Sequence, residues 1–267
     1  MNSDKKYVLI TGANGGMGRA ATERLRAQGY CVFALDLHVS EPKDGVIPIQ
    51  ADIASEDSVK KAMETVRERT EHLDAILHFA GVYMLDSLVE MCDDAFRKIV
   101  DVNLRGVFLI NRTFLPLLGK GSRILITTSE LAPLDPLPFT GVYAVTKGAL
   151  DKYAYSLRME LQLLDIKVSV LRAGAVDTGM IGASTDALDR FCENTRLYSC
   201  NAERFKRIVD GVEARRIPPA KIAEKCARIL NKRYPKFAYA INRNPLLLLL
   251  NILPKCFRFW VIRLILK

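Results

Sequence analysis

The chain has little of what a metal site or a disulfide scaffold needs. It carries three histidines and six cysteines (Cys31, Cys92, Cys192, Cys200, Cys226 and Cys256), with no CxxC pair among them. That spacing offers no zinc signature, so reduced, mostly packed thiols and no metal are expected. No Pro/Gly/Ser-rich linker, repeat or low-complexity stretch divides the 267 residues, which predicts one domain over 1–267. A signal-peptide layout is missing too: Tyr7-Val8-Leu9-Ile10 runs directly into a glycine loop, so a cytoplasmic protein is expected. The most apolar stretch, 244–267, is broken by Asn251, Pro254, Lys255, Arg258 and Arg263, which excludes a transmembrane helix.

Acidic residues are scarce at one end only. Residues 201–267 hold 16 Lys/Arg against four Asp/Glu, whereas 1–200 hold 23 against 26, so the net charge of +9 arises entirely in the last quarter. This asymmetry leaves open a lipid surface, an acidic carrier protein, nucleic acid or a plain solvated face. No nucleic-acid-binding module accompanies the charge, so no nucleic acid is expected.

What is present alternates. Apolar runs near 6–11, 31–36, 46–50, 74–79, 123–128, 167–171 and 236–240 read as strands. Segments 16–28, 55–71, 93–118, 143–164 and 219–232 have helical periodicity. Continuous apolar strands separated by helices predict an α/β fold: a doubly wound parallel sheet of about seven strands, covered on both faces. Ligands bind such sheets at the carboxyl ends of the strands, where the strand order reverses.

Two motifs fall at such ends. In Thr11-Gly12-Ala13-Asn14-Gly15-Gly16-Met17-Gly18, glycines between a strand and a helix allow a tight turn and a close approach of phosphate to the helix N-terminus. Asp36 ends the second strand. A carboxylate there binds ribose hydroxyls and repels a 2′-phosphate, which favours NAD over NADP; a turn-capping Asp is the plainer alternative. In Tyr143-Ala-Val-Thr-Lys147 the two polar side chains share one helical face. A phenol ordinarily titrates near 10, and a neighbouring ammonium is expected to lower that value toward the working range of a general acid/base.

With these motifs in this order, the chain resembles the short-chain dehydrogenase/reductase family over residues 5–240. The family's glycine motif matches 11–18, its Tyr-x-x-x-Lys matches Tyr143 and Lys147, its Asn matches Asn103, and its Ser matches Ser129. The resemblance implies a single Rossmann-type domain. Tyr143 would exchange a proton with the substrate oxygen, and Lys147 would tune it and hold a ribose. Ser129 would bond the reacting oxygen, and Asn103 would seat a relay water. It also implies that Asp52 and Ile53 border the adenine, that Ala80, Gly81, Gly174 and Val176 line the cofactor path, and that Thr178 holds the carboxamide.

Three departures stand out. Phe79 occupies the place of a family Asn, Ala173-Gly174 replaces Pro-Gly, and Glu130 rather than Ser129 lies at the usual distance from Tyr143. An insertion within 131–139 accounts for the last. Segment 179–217, carrying Met180, Ile181, Phe191, Leu197, Tyr198 and Phe205, is the expected substrate lid; its apolar surface suits a lipophilic substrate or a packed core.

After Pro254, Phe257, Trp260, Val261 and Leu264 share one helical face, while Phe259, Ile262 and Leu266 lie among the charges on the other. The helix must therefore bury more than one side, against the body, a partner subunit or a lipid interface. The ending resembles the hydroxysteroid and retinol dehydrogenase branches. The expected activity is secondary alcohol–ketone interconversion on a steroid-, retinoid- or lipid-like molecule. The alternatives are a ketoacyl reductase served by an acyl carrier and a non-catalytic NAD(H)-binding sensor or scaffold. The resemblance further implies a homodimer or homotetramer paired through helices that include 93–118 and 143–164.

Overall fold

The computed structural model describes residues 5–39, 41–212 and 216–267; the side chains of 180–185 and of 212 also lie outside the described set. Seven strands form one sheet: β1 Lys6–Thr11, β2 Tyr30–Asp36, β3 Val46–Gln50, β4 Leu73–His78, β5 Leu118–Thr127, β6 Lys167–Ala173 and β7 Ala238–Ile241. Their order is β3-β2-β1-β4-β5-β6-β7, and every neighbouring pair is parallel. Val8, Leu9, Ile10, Val32, Phe33, Ile76 and Leu77 are wholly buried, as strands covered on both faces must be. The order reverses between β1 and β4, and the crevice at their carboxyl ends is where such a sheet takes ligands.

Two apolar layers cover the faces. One joins Leu9, Phe33 and Ile76 to α2 (Glu56–Arg67), α4 (Gly106–Phe114) and α5 (Gly141–Leu161). The other joins Val8, Ile10 and Val32 to α1 (Gly16–Arg26) and α8 (Pro219–Leu230).

The single helix expected over 93–118 is broken. It comprises α3 (Asp93–Val100), a π turn over Asp101–Arg105, α4 and a 3-10 turn at Leu115–Leu117. Pro116 ends the helix, and β5 starts at Leu118, five residues before the expected strand. The lid segment holds α6 (Gly179–Asn194) and α7 (Ser199–Val212), and the tail folds as α9 (Pro245–Ile252) and α10 (Lys255–Leu266). A one-pair bridge between Val176 and Ile217 closes the lid at its base.

The sequence leaves open which side of α10 meets the body, and the structure places it. The face bearing Arg258, Ile262 and Leu266 turns inward, while Phe257, Trp260 and Leu264 point outward. Arg258 explains this. Buried, it donates to Asp135 Oδ2 at 2.5 Å, Leu253 O at 3.0 Å and Asn251 O at 3.2 Å, so one guanidinium fastens both tail helices to the segment before α5.

Candidate active site

The glycine loop closes tightly on itself. Gly12 has φ +68°, and a Cβ there would lie 2.5 Å from Ala80 N; a Cβ on Gly18 would lie 2.0 Å from Gly12 O. A Cβ on Gly16 would meet Thr178 Cγ2 at 2.6 Å, so α6 starts directly over the N-terminus of α1. Asp36 Oδ2 accepts from Asn14 N at 2.9 Å, and the Asn14 side chain donates to His38 O. The carboxylate therefore reaches the loop from the end of β2. Met17 packs beneath the loop against the α1–α8 layer.

Asp52 caps its own turn through Ala54 N at 2.8 Å, and Ile53 is buried against Gly106. Gly174 N donates to Ile241 O, and a Cβ on Gly174 would lie 1.9 Å from Asn242 O, which demands glycine where the family has Pro-Gly. Phe79 is buried among apolar side chains, as the loss of the polar residue requires, and its N–H donates to Thr11 O at 3.0 Å.

The four expected catalytic residues converge at the ends of β4 and β5. Asn103 lies in the π turn, wholly buried. Its Oδ1 accepts from Val82 N at 2.8 Å, and its Nδ2 donates to Val82 O at 2.9 Å and Thr146 Oγ1 at 3.2 Å. Both amide protons are thus used to tie the segment after β4 to α5. Gly81 leaves the space between Asn103 Oδ1 and Lys147 Nζ open, because a Cβ there would lie 3.1 Å from the first and 3.4 Å from the second.

Ser129 stands beside the Tyr143 phenol and favours its ionised form. Glu130 turns the other way, and its carboxylate accepts from Asn244 N at 2.6 Å. The geometry therefore places Ser129 beside Tyr143 despite its longer spacing. The intervening segment is held by Phe139, in the left-handed region at φ +65°, whose ring packs on Phe191 at 4.6 Å, Tyr198 at 5.3 Å and Phe205 at 5.5 Å.

The electrostatics correct one expectation. Tyr143 is buried, and that burial pushes its phenol well above the ordinary value, with the Ser129 side chain opposing. Lys147 Nζ stands 5.8 Å from the Tyr143 ring centroid and donates to Thr127 O at 3.4 Å. Its own burial lowers it to about 8. In the protein alone, loss of water outweighs the pull of the ammonium on the phenol.

Several site residues carried no motif. Tyr83 stacks on Tyr143 at 4.8 Å, ring tilted by 53°. Asp151, one turn beyond Lys147, takes a bidentate pair from Arg172 at 3.0 and 2.6 Å and anchors α5 to the end of β6. His78, buried and lowered to about 4 by burial, bonds Asn111 at 2.9 Å. Arg19 reaches back from α1 to Asn14 O at 3.2 Å. None of these is singled out by the sequence, although Asp151 continues the four-residue spacing of Tyr143 and Lys147.

Beyond Tyr83 opens a cavity of about 520 Å³, walled by Val82, Met84, Leu85 and Phe191, with Asp86, Glu90, Lys98 and Arg190 at its polar side. Leu85, Leu188, Phe191 and Phe205 form the apolar cluster under the lid. Met180 and Ile181, expected there, lie outside the described side chains.

A glycine-lined cradle at a helix N-terminus, an acid at the end of β2 and a buried Tyr–Lys pair beside a cavity define a dinucleotide-dependent oxidoreductase fold. The chain belongs to the short chain dehydrogenase family, whose model matches residues 6–189. It is 31% identical over 201 residues to mouse estradiol 17-beta-dehydrogenase 2, a match covering 70% of this chain and 52%, about half, of that protein. It is 30% identical over 213 residues to a versicolorin reductase of Emericella nidulans, covering 76% of this chain and 77% of that one. A solved short chain dehydrogenase family protein from Francisella tularensis superposes with a TM-score of 0.74 at 20% identity, over 89% of this chain and 97% of its own, and shares the fold.

Proposed function

We propose that the protein interconverts a secondary alcohol and a ketone on a lipophilic molecule, with a nicotinamide dinucleotide as hydride partner. The observation that carries this reading is the buried Tyr143 phenol, with Ser129 and Lys147 beside it, packed against Tyr83, which lines a cavity with a partly apolar wall. The nicotinamide supplies or accepts the hydride. The chain does the rest. Gly12, Gly15, Gly16 and Gly18 admit the phosphates to the N-terminus of α1, and Asp36 takes the adenosine ribose. In reduction Tyr143 gives its proton to the forming alkoxide; in oxidation it takes the hydroxyl proton. Ser129 holds the oxygen, and Lys147 supplies a positive charge beside it. The names of the estradiol and versicolorin relatives support a fused-ring or similarly bulky substrate. A panel of hydroxysteroids, retinoids, carrier-bound ketoacyl groups and small diols tests the class: turnover confined to the diols or to the carrier-bound groups would overturn it.

The same reading assigns NAD rather than NADP. Asp36→Ala is expected to raise the efficiency with NADP⁺ relative to NAD⁺ by at least about tenfold, because it removes the repelling charge and leaves Arg19 beside the loop. An unchanged kcat/KM ratio would reject this role. Exposed Phe108 on α4 and Val145, Tyr155 and Met159 on α5 support pairing with a second copy through these helices. Val145→Glu with Tyr155→Glu is expected to yield a monomer by light scattering; an unchanged mass would place the interface elsewhere.

A further inference from the structure

Successive tail helices turn large apolar side chains to the outside, on α10 although its inner face is already packed. On α9, Leu246, Leu249 and Ile252 recur on one side; on α10, Phe257, Trp260 and Leu264 do the same, and Phe259 and Ile265 are exposed to either side of that face. Their exposure runs from 47% at Phe257 to 78% at Ile252, more than scattered surface leucines need. The Phe257 and Trp260 rings stack at 5.5 Å, a preformed aromatic step.

The charge around this face has one sign. From Lys225 to Lys267 the sequence holds ten Lys/Arg and no Asp or Glu. Arg258 is buried on Asp135; Lys255, Arg263 and Lys267 are exposed on α10 itself. A second copy of the chain would bring like charge against like charge across this face. An anionic, apolar surface satisfies both features at once. No helix among the described residues is long and apolar enough to cross a membrane, so the fit is to an interface and not to a span.

We propose that α9 and α10 seat the protein on an anionic lipid surface, with Phe257, Trp260 and Leu264 entering the headgroup–acyl boundary and the exposed lysines and arginines holding the phosphates. The inner face of α10 joins this surface to the lid: Leu266 packs in the cluster with Phe191 and Phe205, and Asn201 Nδ2 on α7 donates to Leu266 O at 2.6 Å. Docking therefore brings the lid edge of the cavity to the lipid. The inference stands apart from the catalytic reading, since vesicle binding needs no turnover.

Trp260 is the chain's single tryptophan, so its emission reports this face alone. With phosphatidylcholine vesicles containing phosphatidylserine, the full chain is expected to sediment with the lipid and its emission to shift to the blue. Phe257→Glu with Leu264→Glu should weaken binding by at least about tenfold. Lys255→Gln with Arg263→Gln, which leaves the apolar face intact, should weaken it about twentyfold, an effect lost at high salt. Absence of both sedimentation and shift would overturn the proposal, as would equal binding to pure phosphatidylcholine. A blue shift that instead grows with protein concentration in lipid-free buffer, together with a doubled mass, would assign the face to a second copy.

Discussion

Tyr143→Phe is expected to lower kcat by about 10²–10⁴-fold, the usual contribution of a positioned acid/base, with a much smaller change in KM. The substitution removes one oxygen. The ring keeps its place against Tyr83, Ile99 and Val142, so the fold and the cavity wall persist. The cost to stability is small, about 1 kcal/mol at most, because only one buried hydroxyl is lost. Burial holds the phenol above its ordinary value, so in the free protein Tyr143 is protonated near neutrality. An ultraviolet titration should therefore give the same curve for wild type and Tyr143→Phe until well above the range of exposed tyrosines. Activity within about threefold of wild type would move the proton transfer to another group.

Lys147→Met is expected to separate activity from stability. A fall from the ordinary 10.5 to about 8 corresponds to about 3 kcal/mol of cost to the folded state at neutral pH. Below pH 8 the lysine is protonated whether folded or unfolded, and the folded chain bears the whole cost of the buried charge. Between about 8 and 10.5 the unfolded chain holds more protons, so the wild type gains stability as pH rises. Above that range both forms are neutral and the cost is gone. Methionine fills similar space without a charge. The variant should thus be more stable than wild type at pH 7 by up to about 3 kcal/mol, with the difference fading toward pH 10.5, while turnover collapses. Denaturant midpoints at the two pH values read this directly. A variant less stable at pH 7 would mean that the bond to Thr127 O outweighs burial.

The parts of this site that follow local rules were legible in the sequence. Strands buried on both faces have to be continuous apolar runs, and β1, β2, β3 and β6 begin within a residue of where those runs begin. The glycine loop and the Tyr143–Lys147 spacing announce themselves because each is a short-range geometric requirement. The rest depends on contacts between distant residues. Helical periodicity cannot tell α-helix from the π turn at Asn103, since the break is set by the bonds to Val82 and Thr146. It also leaves open which side of α10 meets the body, which the buried Arg258–Asp135 pair decides by turning Phe257, Trp260 and Leu264 outward. The inward role of Phe139 and the outward turn of Glu130 are likewise decided by partners on the lid and tail.

The central claim is hydride transfer assisted by Tyr143, and isotope transfer tests it most directly. Incubating the protein with NAD⁺ and a hydroxysteroid deuterated at the carbinol carbon should place deuterium in the reduced nicotinamide, in equal amount with the ketone formed, and Tyr143→Phe should abolish both. Tight binding of the reduced dinucleotide with no deuterium transferred from any alcohol tested would contradict the enzyme reading and leave a dinucleotide-binding sensor.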